Sequence, residues 1–306
     1  MKILMVGCGS IGKRHCRNII KYVTENKIEL ELDFLRSSNS KLPDDILEKT
    51  SKQYSNINEL NNRYDTIFIT NPTSLHYETL LKLNDYSDNF FIEKPVFDKT
   101  DLDITPFKSS KKNYYVACPL RYTQVLLAAK DFVNENIIFS VRAISSSYLP
   151  DWRPGTDYRN TYSAHKDLGG GVIIDLIHEW DYLFSFFGTP ISVQKYFGKY
   201  SDLEIDSEDL AVYIAKYNNF LLELHLDYCG RQTRRYCEFI TSDGLYTFDI
   251  TNNQILKNGI IEKSFDEDGN DKYYRELQNF FHIVFGGAKN NNTIKHAIEV
   301  MSIATN

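Results

Sequence analysis

The sequence predicts an α/β protein. A doubly wound parallel sheet is expected in its N-terminal part, followed by an α+β domain on a large, mainly antiparallel open sheet. Three observations predict this. Short apolar runs alternate with helical periodicity over the first part of the chain, the pattern that places helices on both faces of a parallel sheet. A glycine-rich turn, Gly7-Cys8-Gly9-Ser10-Ile11-Gly12, lies between the first apolar run and the first helix. After Pro190 the pattern changes to alternating strands joined by turn dipeptides such as Asn218-Asn219 and Asp243-Gly244. The domains are set at 1–120 and 121–306, in keeping with a two-domain prior for 306 residues.

The elements follow in order. Lys2–Val6 is a short apolar run, read as a buried parallel strand. Ile11–Val23 follows as a helix with apolar Ile11, Ile19, Ile20 and Val23. Leu30–Leu35 is the second strand, and the polar stretch Ser37–Asn62 holds short helices after Pro43 and around Ile57–Leu60. Asp65–Thr70 is a strand, Ser74–Leu83 a helix opened by a serine, and Asn89–Ile92 and Tyr114–Cys118 are strands. The second domain opens with a helix over Gln124–Val133 and the segment Ile137–Ser147. An Arg- and aromatic-rich loop, Leu149–Leu168, precedes a helix from Val172 to Phe187. The strands Val193–Tyr200, Leu210–Tyr217, Phe220–Tyr228, Tyr236–Thr241 and Leu245–Ile250 come next, and helices Lys272–Phe285 and Ile294–Ala304 close the chain.

Composition narrows the function. The net charge of −6 gives no support for nucleic-acid binding, which needs a basic stripe. With 42% hydrophobic and 25% charged residues the chain is an ordinary globular one, not a disordered one. No uncharged apolar run reaches the ~18–20 residues of a membrane helix. The start, MKILMVGCGS, breaks into a glycine turn too soon for a signal peptide. The five cysteines form no C-x-x-C pair, which disfavours a disulfide framework or a metal site and suits a cytoplasmic protein.

The glycine turn is G-x-G-x-x-G between a strand and a helix. In that setting Gly7 permits the tight turn, Gly9 lets the backbone approach a pyrophosphate, and Gly12 lets helix and strand pack closely. The neighbouring Ser10 and Ile11 open a helix whose N-terminus supplies unpaired N–H groups to the phosphates. The cofactor is therefore expected to be NADP or NAD. The tip of the second strand reads Arg36-Ser37-Ser38, while Asp33 lies inside the strand. A guanidinium flanked by hydroxyls suits a 2′-phosphate, so NADP is the preferred expectation over NAD.

Three further motifs align with this turn. They are Thr70-Asn71-Pro72-Thr73 with His76, Glu93-Lys94-Pro95, and Gly169-Gly170-Gly171 followed by Asp175, His178 and Asp181. Together the four resemble the glucose–fructose oxidoreductase/inositol dehydrogenase (Gfo/Idh/MocA) family over nearly the whole chain. The resemblance implies a Rossmann domain and a C-terminal domain whose open sheet forms the face of a homodimer or homotetramer. It implies hydride transfer between NAD(P) and a sugar-type alcohol, with Asn71, Pro72, Thr73, His76, Glu93, Lys94 and Pro95 near the cofactor. It also implies Lys94 as the catalytic lysine and Asp175 with His178 as the acid–base pair. Family members commonly show D-x-x-x-H after the glycine run, whereas this chain has Asp175-Leu176-Ile177-His178.

The residue types suit that chemistry on their own terms. Oxidising a secondary alcohol requires its proton to leave as hydride leaves the carbon. A histidine is the natural base and a carboxylate can orient it. A lysine at a strand end can stabilise negative charge developing on the same oxygen. Asp175, His178 and Asp181 fall at i, i+3 and i+6, along one face of a helix. The glycines before them are expected to let backbone pass close to a ligand.

Substrate contacts are expected from Arg121 and Tyr122, and from Trp152, Arg153, Tyr158, Arg159 and Tyr162 in the Arg/aromatic loop. Aromatics offer a stacking face and arginines bind carboxylate or phosphate, so a sugar phosphate, nucleotide sugar or sugar acid is expected. Surface-polysaccharide or unusual-sugar biosynthesis is the setting this suggests. Arg231, Arg234 and Arg235 read as a turn at a solvated edge or a subunit contact. Other readings stay open: a redox-assisted glycosidase with tightly bound NAD, a reductase of a non-sugar carbonyl or imine, and a cofactor-binding sensor without chemistry.

Overall fold

The computed structural model describes residues 1–37 and 41–305. The chain forms two compact units, Met1–Pro119 with Tyr273–Glu299, and Leu120–Lys272 with Val300–Asn306. This differs from two continuous domains at 1–120 and 121–306, because the end of the chain is bonded into the first unit. There the Glu276 carboxylate accepts from the Tyr115 hydroxyl at 3.1 Å and the Cys118 N–H at 2.5 Å. Asn292 adds a backbone bond from Val116 N–H at 2.9 Å and a side-chain bond to Val116 O at 2.8 Å.

The first unit holds six parallel strands: β1 (Lys2–Val6), β2 (Glu31–Leu35), β3 (Thr50–Tyr54), β4 (Thr66–Ile69), β5 (Asn89–Ile92) and β6 (Asn113–Val116). Their order is β3-β2-β1-β4-β5-β6. Ile3, Leu4, Met5, Ile67, Phe68, Ile69, Phe90, Phe91 and Ile92 are wholly buried, as a sheet covered on both faces requires. Phe68 and Phe91 stack at 4.9 Å and meet the edge of Phe280. The strand order reverses at β1/β4, and open α/β sheets bind ligands at the carboxyl ends beside such a reversal. β3 escaped the sequence reading because Thr-Ser-Lys-Gln-Tyr has no apolar pattern. It is an edge strand with Ser51, Lys52 and Gln53 exposed.

The second unit carries an eight-stranded sheet of β7 (Ser140–Tyr148), β8 (Ser192–Gly198), β9 (Leu210–Lys216), β10 (Leu221–Asp227), β11 (Cys229–Thr241), β12 (Gly244–Asp249), β13 (Gln254–Lys257) and β14 (Ile260–Ser264). The order is β14-β13-β12-β11-β7-β10-β9-β8, and every pairing is antiparallel except β10 with β7. Alternation sets the two faces. Leu222, Leu224 and Leu226 point into a core with Trp180, Tyr182, Tyr213 and Phe239, while Leu221, Glu223 and His225 point away. On that outer face the register aligns Tyr196, Val212, His225, Ile144 and Tyr236 in one row. Thr123 caps the helix Gln124–Glu135, its hydroxyl accepting from Leu126 N–H at 3.3 Å.

Three expectations for this unit are corrected. β11 starts at Cys229, so Arg231, Arg234 and Arg235 lie in an irregular strand rather than a turn. Arg235 pairs at 2.8 Å with wholly buried Glu179, so it is not part of a solvated edge. β13 and β14 were missed, being short and partly or wholly exposed. The helix expected over Val172–Phe187 is two helices, Val172–Asp175 and Ile177–Phe187, parted at Leu176 with φ −99° and ψ 22°. No helix among the described residues is long and apolar enough to cross a membrane.

Candidate functional site

In the first unit the glycine turn leaves β1 at Gly7, whose φ is +82° and whose N–H donates to Leu35 O at 2.9 Å. A Cβ on Gly7 would lie 2.9 Å from the Asn71 Cα and N, and one on Gly12 would lie 2.8 Å from Thr70 Oγ1. Both glycines therefore admit the chain that follows β4. Gly9 differs, since a Cβ there would meet no protein atom within 4 Å. Gly9 is the N-cap of the 16-residue helix Ser10–Glu25, which has no side-chain cap and no acidic residue in its first turn. Ser10 is exposed and Ile11 half-buried beside it. N–H groups left without a cap, at the positive end of a helix, fit the diphosphate of a dinucleotide.

Cys8 sits half-buried within this turn. A hydrogen bond with the buried Cys16 thiol lowers its thiol to about 7; burial opposes this, and Lys13, Arg36 and Arg17 add to it. At the tip of β2, half-buried Arg36 donates its backbone N–H to Tyr54 O at 3.0 Å, and Ser37 is exposed. Ser38 lies outside the described residues. Asp33 is wholly buried and accepts the Tyr64 hydroxyl at 2.9 Å, so its carboxylate is committed within the sheet.

The two loops after β4 and β5 are tied together. The buried His76 ring places Nε2 2.9 Å from Asn71 O and Nδ1 3.1 Å from Val96 O. Burial lowers this imidazole below its ordinary range. Its ring is a strut between the Asn71-Pro72-Thr73 loop and the chain after the cis Lys94-Pro95 bond. Glu93 brings Oε1 to 2.5 Å from Nε2 of wholly buried His15, and its Oε2 accepts from Lys94 N–H at 3.2 Å. Burial pushes the Glu93 carboxyl up, but the His15 hydrogen bond and charge, with Lys94, outweigh it and hold it below the ordinary range. Glu93 and His76 were expected as cofactor contacts. In the structure Glu93 fastens the Glu93-Lys94-Pro95 segment to the glycine-turn helix, and His76 fixes the backbone around it. Lys94 is left half-buried just past β5. His15 was missed in the sequence, although its place one turn after Gly12 on the helix's buried face could have marked it.

The second unit holds the other motif. Gly169 has φ +77° and ends a short 3-10 turn. A Cβ on Gly170 would lie 2.1 Å from Tyr162 O, and one on Gly171, at φ +124°, would lie 2.1 Å from Glu208 Oε1. Gly170 and Gly171 thus make room for protein atoms, where the sequence reading expected a ligand. Asp175 ends the first short helix and His178 stands half-buried in the first turn of the next. The reading of Asp175, His178 and Asp181 along one continuous helix is therefore corrected.

Asp175 is buried and accepts the Tyr228 hydroxyl at 2.6 Å. Burial together with the nearby Asp175 charge raises both the Tyr228 and the Tyr162 phenols. Glu208 is raised chiefly by burial. Tyr228 and Glu208 carried no sequence signal, since each is one of many such residues in a strand region.

The expected substrate residues divide. Arg121 forks onto Asp181 through Nε at 2.6 Å and Nη2 at 2.7 Å, and Tyr122 is buried. Arg159 pairs with Asp157 and Glu204 at 2.9 and 3.1 Å. The Tyr158 hydroxyl accepts from Glu204 N–H at 3.1 Å. Trp152 donates Nε1–H to Ser147 Oγ at 2.8 Å and meets the Tyr228 ring edge-on at 5.1 Å. Arg153 lies over the Tyr162 ring at 5.3 Å.

Comparison with known proteins adds to this geometry. Residues 1–103 match the model of an oxidoreductase family with an NAD-binding Rossmann fold (GFO_IDH_MocA), and residues 126–247 match the GFO/IDH/MocA C-terminal domain. No curated protein matches the sequence. Among solved structures, the fold is similar to UDP-N-acetylglucosamine 3-dehydrogenase from Acidithiobacillus ferrooxidans, with TM-score 0.76 and 17% identity over 99% of this chain and 95% of that one. It is similar to myo-inositol 2-dehydrogenase from Lactobacillus plantarum, with TM-score 0.76 and 19% identity over 99% and 95%. It is also similar to the WlbA dehydrogenase from Bordetella pertussis, solved with NADH and UDP-GlcNAcA, with TM-score 0.78 and 16% identity over 100% and 94%.

Proposed function

Since the chain belongs to the GFO/IDH/MocA oxidoreductase family, we propose that it moves a hydride between a nicotinamide and a secondary alcohol, or the matching ketone, of a sugar, sugar phosphate or nucleotide sugar. One observation carries this reading. Lys94 follows β5 near the strand-order reversal, and its neighbour Glu93 is bonded to His15 of the uncapped glycine-turn helix. The lysine and the phosphate-binding turn are thereby fixed to each other within one unit. Similar structures named for sugar and cyclitol dehydrogenation support the substrate class.

When bound, the nicotinamide supplies or accepts the hydride. Gly7, Gly9, Ser10, Ile11 and Gly12 hold its diphosphate at the helix N-terminus. Arg36 and Ser37 favour the 2′-phosphate of NADP, since Asp33 is withdrawn into the sheet. Lys94 donates a hydrogen bond to the reacting oxygen and stabilises its developing charge. His178 takes the hydroxyl proton and Asp175 orients its imidazole, with Tyr228 holding the carboxylate. The row of Tyr196, Val212, His225, Ile144 and Tyr236 on the outer face of the eight-stranded sheet is the surface for a homodimer or homotetramer, and the cytoplasm is the compartment.

A thermal-shift screen tests the proposal, with NAD(H), NADP(H), UDP-GlcNAcA, glucose 6-phosphate and myo-inositol. A ligand at 100 times its Kd stabilises by about 2.7 kcal/mol. Lys94→Ala should remove turnover at least 100-fold while leaving the NADPH shift in place. No shift with any dinucleotide, or wild-type turnover in Lys94→Ala, would overturn the assignment.

A further inference from the structure

We propose that Arg153, braced on Tyr162, is the group that selects an anionic substituent, carboxylate or phosphate, on the sugar substrate. This rests on the function proposed above and narrows its substrate class.

Of the arginines around the Arg/aromatic loop, Arg121 is neutralised by Asp181 and Arg159 by Asp157 and Glu204, while Arg231 lies over Tyr148 rather than Tyr162, 3.7 Å from the Tyr148 ring centre. Arg235 is neutralised by Glu179. Among the described residues no carboxylate pairs with Arg153. Its guanidinium instead lies over the Tyr162 ring, 5.3 Å from the ring centre.

That contact has a consequence for chemistry. A guanidinium held over a ring by cation–π attraction keeps N–H groups free to donate, and their fork matches the two oxygens of a carboxylate or phosphate. The contact also limits the side chain's freedom, so less order is lost when an anion binds.

Position supplies the rest. Tyr162 lies within reach of the Asp175 charge, which with burial raises its phenol, so Arg153 stands one aromatic ring away from the proposed acid–base pair. The Tyr228 hydroxyl lies on the same carboxylate at 2.6 Å, and Trp152, the neighbour of Arg153, packs on Tyr228. Asp175 and Glu208 place two carboxyl groups here, so an anionic sugar needs a cation beside them. Arg153 supplies one at the exposed side of the cluster.

The test is calorimetry on the full chain loaded with NADPH, using matched probes that differ by one anionic group. UDP-GlcNAcA against UDP-N-acetylglucosamine reads a carboxylate, and glucose 6-phosphate against glucose reads a phosphate. Wild type should prefer the charged member of one pair by about 10-fold or more. The pair that shows the preference identifies the source of the charge. Arg153→Ala should abolish that preference with NADPH affinity unchanged. Arg153→Lys should keep part of it, as a point charge without the fork. Equal binding of both members by wild type, or a full preference retained in Arg153→Ala, overturns the inference while leaving the dehydrogenase reading in place. Binding of no probe from either pair, together with no binding of myo-inositol, would remove the dehydrogenase reading itself and this inference with it.

Discussion

Replacing Gly7 and Gly9 by alanine, one at a time, should separate the folding role of the glycine turn from its binding role. At Gly7 the backbone φ is +82°, which costs a side-chain-bearing residue about 1–2 kcal/mol. The new Cβ would also stand 2.9 Å from the Cα and N of Asn71. That backbone cannot easily retreat, because Asn71 O is held by His76. Overpacking against a fixed neighbour adds about 1–3 kcal/mol. A total loss of about 2–5 kcal/mol is a large part of the ~5–15 kcal/mol that holds a domain folded. At Gly9 the φ is −71°, which any residue adopts, and the Cβ meets no protein atom within 4 Å. Stability there should fall by about 1 kcal/mol or less, alanine being a poorer N-cap than glycine. The added methyl nevertheless fills part of the open space at the start of the helix, so dinucleotide affinity should drop at least tenfold, about 1.4 kcal/mol. Urea unfolding reads the first effect and titration with NADPH, followed by its fluorescence, reads the second. Wild-type NADPH affinity in Gly9→Ala would show that no diphosphate binds at this turn. Wild-type stability in Gly7→Ala would refute the close approach of the two loops.

Three further outcomes follow from the same structure. Iodoacetamide near pH 7.5 should label Cys8 before the other four cysteines, because its thiol lies at about 7, and bound NADPH should slow the labelling; mass spectrometry showing Cys8 unmodified, or unprotected, would count against both points. Arg36→Ala should shrink the preference for NADPH over NADH by about tenfold, and an unchanged ratio would remove the argument from the tip of β2. Arg235→Ala should cost about 3 kcal/mol near neutral pH by stranding the Glu179 charge. Burial raises the Glu179 carboxyl, so the folded state holds its proton more tightly than the unfolded state does; the cost should be small while that proton stays on and grow as pH rises above the ordinary glutamate range, and a cost independent of pH in urea titrations would contradict this.

What could be read from the sequence was set by how local each signal is. The glycine turn, β1, the helix after it and the buried strands are fixed by neighbours a few residues apart, and they lie where the pattern placed them. β3 depends on pairing with Leu32–Leu35, a long-range contact that leaves no mark on its own five polar residues. Lys94 was legible through Glu93 and Pro95, but the partner of Glu93 is His15, 78 residues earlier. The ion pair of Arg121 with Asp181 likewise spans 60 residues. Charge alone marked Arg121 and Arg159 as ligand contacts, and only the structure shows each bound to protein carboxylates.

Asp175 shows most clearly why its setting lay beyond local reading. Its helix is four residues long, too short to hold a side chain in place, since a single turn returns little for the dihedrals it fixes. The position is set instead by the residues leading into β9. Asp206 N–H donates to Ala164 O at 3.1 Å and the Ser207 hydroxyl to Ser163 O at 2.7 Å, fixing the loop that carries Tyr162. Val172 N–H donates to Glu208 O at 3.0 Å, which anchors the start of the short helix, and Tyr228 N–H donates to Asp209 O at 2.8 Å. Four consecutive residues therefore hold the helix of Asp175, the loop that carries Tyr162 and the Tyr228 that bonds the Asp175 carboxylate. Gly171 completes the arrangement, because any side chain there would displace the Glu208 carboxylate. The glycine run is required by the acid beside it, so Gly171→Ala should disturb Asp175 through Glu208 even where no ligand is bound.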